Sequence, residues 1–193
     1  MFLVDSHCHL DGLDYQTLHK DVDDVLAKAA ARDVRFFLAV ATTLPGYRGM
    51  RELIGQRDDV VFSCGVHPLN QDEAYDYEEL RTLAAEEGVV AMGETGLDYF
   101  YTPETKLRQQ ESFRQHIRIG RELNKPVIVH TRDARADKVL AQEHTEHRRF
   151  GRIFKRAARE MHARTADAAV HEQPGVAALR AHGQQQQIPL RLL

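Results

Sequence analysis

Short apolar runs rich in β-branched and aromatic residues recur along the first two thirds of the chain. They fall at Phe2-Leu3-Val4, Phe36-Phe37-Leu38-Ala39-Val40, Val60-Val61-Phe62, Val89-Val90-Ala91-Met92 and Val127-Ile128-Val129. Unbroken runs of this length suit strands buried on both faces, as in a parallel sheet. Between them, apolar residues take helical spacing. Val22, Val25, Leu26 and Ala29 precede Arg32-Asp33; Tyr77, Leu80, Leu83 and Ala84 end at Gly88; Leu107, Phe113, Ile117 and Leu123 run up to Asn124-Lys125-Pro126. Successive strands begin about 25 to 40 residues apart, the span of one βα unit, so the pattern predicts an α/β fold of five such units.

Five units fit an open doubly wound sheet or part of a (β/α)₈ TIM-type barrel, and the polar residues favour the barrel. His7 and His9 together, His67, Glu94 and His130 each come just after a strand run, four runs in all. Barrels collect their chemistry from several strand ends in this way. An open sheet would gather its ligands at one crevice near a Gly-rich turn, and Gly93-Glu94-Thr95-Gly96 lacks that spacing. A whole barrel takes about 250 residues, so the expected architecture is an incomplete one.

Composition narrows the class further. The 193 residues are 42% hydrophobic and 28% charged with a net charge of −3, which fits one soluble globular domain. No apolar stretch approaches the roughly 20 residues of a membrane span. The start, Met1-Phe2-Leu3-Val4-Asp5, lacks the basic region and long apolar run of a signal peptide. Two cysteines, Cys8 and Cys64, suit a reducing compartment, and the cytoplasm is the expected location. The charge is uneven: residues 1–137 hold 16 basic against 24 acidic groups, residues 138–193 hold 10 against 5.

The second stretch also loses the strand-like runs. It is rich in Ala, Arg, His and Gln and ends in Gln184-Gln185-Gln186-Gln187 and Ile188-Pro189-Leu190-Arg191-Leu192-Leu193. A basic amphipathic helix is conceivable around Ile153, Phe154, Ala157, Ala158 and Met161. The chain is therefore expected to divide into a partial barrel domain over 1–137 and an aberrant basic tail over 138–193. A shifted reading frame or a truncated gene beyond about Asp137 accounts for that change, and resequencing the locus tests it.

His7-Cys8-His9 carries the sharpest local chemistry. Residues i and i+2 of an extended segment point the same way, so both imidazoles reach one point above the strand. That suits a divalent cation, and it also suits plain hydrogen bonding in a loop. Glu94 beyond strand four can form a salt bridge or bridge two ions, and His130 beyond strand five can be a loop histidine or a third imidazole ligand. Together, three histidines and a glutamate at three strand ends are hard to explain by packing. His67 and Arg132 are candidates to face a substrate phosphate, by one hydrogen bond and by a bidentate fork respectively. Asp5 is placed to orient a ligand imidazole or cap a turn, and Asp98 and Tyr99 to line the mouth or cap a helix. Cys8 reads as a small buried filler.

Four segments then resemble the successive signatures of the TatD family of metal-dependent hydrolases, in particular its bacterial YcfH-type branch. They are Phe2-Leu3-Val4-Asp5-Ser6-His7-Cys8-His9-Leu10-Asp11, Gly65-Val66-His67-Pro68, Gly93-Glu94-Thr95-Gly96-Leu97-Asp98-Tyr99 and Pro126-Val127-Ile128-Val129-His130-Thr131-Arg132-Asp133-Ala134. The resemblance covers residues 1–137. It implies a (β/α)₈ barrel, one or two divalent cations (Mg²⁺, Mn²⁺ or Zn²⁺) and hydrolysis of phosphodiester bonds, with deoxyribonuclease activity in some relatives. It further implies that His7 and His9 hold a first ion, that Glu94 bridges and acts in catalysis, and that His130 holds a second ion.

The family's later His-Cys-Phe and Glu-Thr-Asp-Ser-Pro motifs do not occur in residues 138–193, and His144, His147, His162, His171 and His182 take no ligand role. The expected function is thus a DNA-directed phosphodiester hydrolase, impaired or inactive in this chain. Its expected substrate is DNA or oligonucleotide ends, with no membrane and no stable protein partner. An amidohydrolase-like activity on a small molecule and a non-catalytic fragment remain alternatives.

Overall fold

The computed structural model describes residues 2–72, 74–134 and 137; the predicted basic helix and the rest of the tail lie outside the described residues. The strands are β1 (Leu3–Cys8), β2 (Val34–Val40), β3 (Val60–Cys64), β4 (Val89–Asp98) and β5 (Val127–Arg132). They form one parallel sheet in the order β1-β2-β3-β4-β5, with consecutive strands always neighbours. This is the order of a barrel wall, as the spacing of the apolar runs predicts.

Four helices join the strands: α1 (Val22–Ala30), α2 (Leu44–Ile54), α3 (Tyr77–Ala85) and α4 (Lys106–Glu122). The core lies between sheet and helices, with Leu26 of α1, Met50 of α2, Leu80 of α3 and Ile119 of α4 buried alongside Phe37, Phe62 and Met92. Side chains cap three of the helix starts. Asp21, Thr43 and Asp76 accept hydrogen bonds from the backbone N–H groups of Asp24, Gly46 and Glu79. Among the described residues, no helix is long and apolar enough to cross a membrane.

The strands run further than their apolar cores. β1 reaches Cys8, β4 reaches Asp98 and β5 reaches Arg132, so His7, Glu94 and His130 sit within the final turns of strands and not in the loops after them. In β4 this extension depends on two glycines. Gly93 and Gly96 have φ of 122° and 140°. A Cβ on Gly93 would come 2.6 Å from the carbonyl oxygen of Ile128, and one on Gly96 would collide with that of His130. The glycines that fail as a dinucleotide loop thus let β4 approach β5 closely, beside a register shift between Met92 and Thr95.

Candidate metal centre

Glu94 lies at the centre of the sheet's C-terminal end. Its backbone N–H donates to the carbonyl of Ala41, just past β2, at 3.0 Å, and Ser63 of β3 holds the preceding Gly93 carbonyl at 2.6 Å. The carboxylate is buried, and its two oxygens face different histidines. Oε2 lies 3.2 Å from His7 Nε2 and Oε1 lies 3.5 Å from His130 Nδ1. Burial by itself would raise the Glu94 pKa; contacts with His130 and His7 outweigh it and hold the carboxyl well below the usual carboxylate range.

The histidines are oriented from behind. His9 Nδ1 lies 2.8 Å from the carbonyl of Val40 and donates to it, which leaves Nε2 as a lone pair. His130 Nε2 lies 3.0 Å from Asp98 Oδ2, which turns Nδ1 toward Glu94. Burial opposes protonation of His130, but the flanking carboxylates of Glu94 and Asp98 raise its pKa. His7 Nε2 is buried and has no hydrogen-bond partner; its ion-pair contact with Glu94 lacks the alignment of one. Asp5 accepts from the backbone N–H of His7 at 3.1 Å, so it fixes the strand end and does not hold the imidazole ring.

Two groups of ligand atoms result, His7-His9-Glu94 and His67-Glu94-His130, each with all its atoms within 4.8 Å of one another. They share Glu94. A buried imidazole nitrogen that meets only the Glu94 carboxylate, a second imidazole with its lone pair free and a carboxylate shared between the two groups fit divalent cations of the kind bound by nitrogen and oxygen ligands. The sequence grouped His7, His9, Glu94 and His130, and the structure brings these four together.

His67 joins the second group on different terms. Its Nδ1 accepts a hydrogen bond from Leu69 N–H at 3.1 Å, so the neutral ring carries its proton on Nε2. Burial, followed by repulsion from His130, pushes its pKa down to about 4 and keeps it neutral. Its ring centroid is 4.4 Å from that of His130. Arg132 is half-exposed at the edge, with Nε 3.9 Å from Asp98 Oδ2. Cys8 donates to the carbonyl of Leu38, and burial raises its pKa strongly, which makes it an inert thiol.

The positioning groups behind the site were less legible. Asp98 is buried and does three things at once: Oδ2 meets His130, while Oδ1 accepts from the N–H groups of Phe100 and Tyr101 at 3.1 and 3.0 Å. Gln109 of α4 accepts from Asp98 N–H at 2.7 Å and donates to its carbonyl at 3.0 Å. His116 of α4 donates from Nδ1 to the Ser112 carbonyl and accepts at Nε2 from Val66 N–H, next to His67. Their signal in the sequence is spacing: Gln109, Ser112 and His116 fall on the same helical stripe as Phe113, Ile117 and Gly120.

A parallel sheet with consecutive strands adjacent, and histidines and a carboxylate able to hold a metal ion at its C-terminal ends, is the arrangement of a TIM-barrel-type wall. Residues 4–172 match the family model described as TatD related DNase, and the chain belongs to that family. It is 84% identical over 137 residues to the uncharacterized metal-dependent hydrolase YcfH of Escherichia coli (strain K12), covering 71% of this chain and 52% of that protein. It is 40% identical over 120 residues to the 3'-5' ssDNA/RNA exonuclease TatD of Shigella flexneri serotype 5b (strain 8401), covering 60% of this chain and 45% of the relative. The crystal structure of YjjV, a TatD homologue from Escherichia coli K12, matches with a TM-score of 0.61 and 27% identity over 70% of this chain and 52% of that one. The chain spans about half the length of the curated relatives it matches.

Proposed function

We propose that the His7-His9-Glu94-His130 centre serves the hydrolysis of phosphodiester bonds at nucleic acid ends, with DNA or an oligonucleotide as substrate. The observation that carries this reading is the division of the Glu94 carboxylate, with one oxygen toward His7 and the other toward His130. A divalent cation bound there supplies Lewis acidity toward a phosphoryl oxygen and acidifies water.

In this reading His7, His9, Glu94 and His130 would hold the cations. Asp98 keeps His130 turned the right way by accepting from Nε2. His67, with its proton on Nε2 and its pKa depressed, donates one hydrogen bond to a phosphate oxygen and remains neutral while doing so. Arg132 lies at the rim, where its fork meets the next phosphate. The Shigella relative's name, 3'-5' ssDNA/RNA exonuclease TatD, supports nucleic acid over a small amide as the substrate.

Purified chain and Glu94→Gln are compared for Mn²⁺ or Zn²⁺ content and for cleavage of end-labelled oligonucleotides. The expected result is metal-dependent cleavage by the unaltered chain, lost with Glu94→Gln. Turnover of small amides or lactones with oligonucleotides left intact would replace this reading by the amidohydrolase one.

A further inference from the structure

The loop after β4 is firmly held, yet it turns two aromatic rings outward. Asp98 fixes the N–H groups of Phe100 and Tyr101, and Gln109 Nε2 donates to the carbonyls of Asp98 and Thr102. Phe100 and Tyr101 are nevertheless 60% and 59% exposed, packed edge to face with centroids 4.7 Å apart. Exposed large rings on a mobile loop need no explanation, but a loop with this many fixed backbone groups presents them in a set orientation.

Their cationic neighbour connects them to the site. The Arg132 guanidinium lies 4.7 Å over the Tyr101 ring, and its Nε is 3.9 Å from Asp98 Oδ2, the same atom that meets His130. The exposed Phe100 ring set edge to face against Tyr101, a guanidinium over the Tyr101 ring and an Asp98 carboxylate shared by that guanidinium and His130 match the parts of a nucleotide: base, flanking phosphate and scissile phosphate.

We propose that Phe100 and Tyr101, with Arg132 alongside, form a stacking platform for a nucleobase next to the bond placed at the His/Glu centre. This rests on the phosphodiesterase reading above.

The test compares three labelled oligomers of equal length and charge, with phosphorothioate linkages that resist hydrolysis, in Mn²⁺: a single-stranded deoxyribonucleotide, its ribonucleotide counterpart and a base-free chain. Binding is followed by fluorescence anisotropy on the full chain. Base-bearing oligomers are expected to bind about tenfold more tightly than the base-free one. Phe100→Ala/Tyr101→Ala brings that ratio close to one, Tyr101→Phe restores it, and Leu53→Ala on the exposed side of α2 retains it. A ratio near one in the unaltered chain, or a ratio that survives the double substitution, overturns the platform while the phosphodiesterase reading stands. If no oligomer binds, that reading fails and the platform falls with it. A difference between the two sugars in the unaltered chain identifies which nucleic acid the base belongs to.

Discussion

Asp98 illustrates how one side chain sets the state of another. Its carboxyl is drawn down from the ordinary range, against the effect of burial, by the Tyr101 N–H and by His130. Asp98→Asn removes the charge behind His130 with little change of shape, and Mn²⁺ or Zn²⁺ affinity is expected to fall about 10- to 100-fold. Competition with a chromophoric chelator measures this, and unchanged affinity would remove Asp98 from the positioning role. His116 permits a prediction about pH. It is fully buried, and burial pushes its pKa down to about 4. The unfolded chain, with an ordinary histidine pKa near 6.5, binds the proton more tightly than the folded one does, so stability is lost as pH falls from about 6.5 to about 4. The loss from this residue is about 3 kcal/mol. His116→Gln keeps an acceptor for Val66 N–H but does not titrate, so its urea midpoint should drop less between pH 7.5 and 4.5 than that of the unaltered chain. Parallel drops in both would show that His116 does not titrate in this window.

Among the elements, α4 does the most to fix the site, although its outward pattern is that of an ordinary amphipathic helix. Its buried stripe includes Gln109, Ser112 and His116, which reach the loops after β3 and β4. Gln109→Leu leaves the buried Asp98 N–H without its acceptor and removes donors from the Asp98 and Thr102 carbonyls. The expected cost is about 3 kcal/mol, read from chemical denaturation, because unpaired buried polar groups carry their full desolvation penalty. A cost below about 1 kcal/mol would mean that water replaces the side chain. The five strands were legible as unbroken apolar runs; β2, β3 and β4 are buried along most of their length, whereas β1 and β5 at the sheet's edges are only part-buried. Their final turns were not, since Thr95, Gly96 and Asp98 belong to β4 through pairing with β5 and through no propensity of their own. α2 escaped notice for a related reason. Pro45, Gly46 and Gly49 disguise a helix whose buried side, Leu44, Tyr47, Met50 and Ile54, has regular helical spacing and whose start is capped by Thr43. The candidate ligands could be singled out because His7, His9, Glu94 and His130 abut those runs. Asp98 and Gln109 could be assigned only once β4, β5 and α4 were seen together.

At the scale of the whole molecule, the described sheet has β1 and β5 as its two edges. Parallel edge strands present unpaired backbone groups that template further pairing. Val129 on β5 is part-exposed, and the sheet curls so that both edges flank the His/Glu centre. Identity of 84% over 137 residues with YcfH means that most residues of the matched stretch, edge strands included, are the same in the two chains. The half of YcfH that this match leaves uncovered, expressed as a separate polypeptide, is therefore expected to bind the chain and increase its metal-dependent cleavage of oligonucleotides. Size-exclusion chromatography of the mixture tests the first expectation and end-labelled cleavage the second. A Glu94→Gln chain should still form the complex but leave it inactive, because the substitution alters the centre and neither edge strand. Elution of two separate components would show that the edges are satisfied within this chain, and a complex without added cleavage would show that the His/Glu centre is not completed by residues from the other half of the barrel.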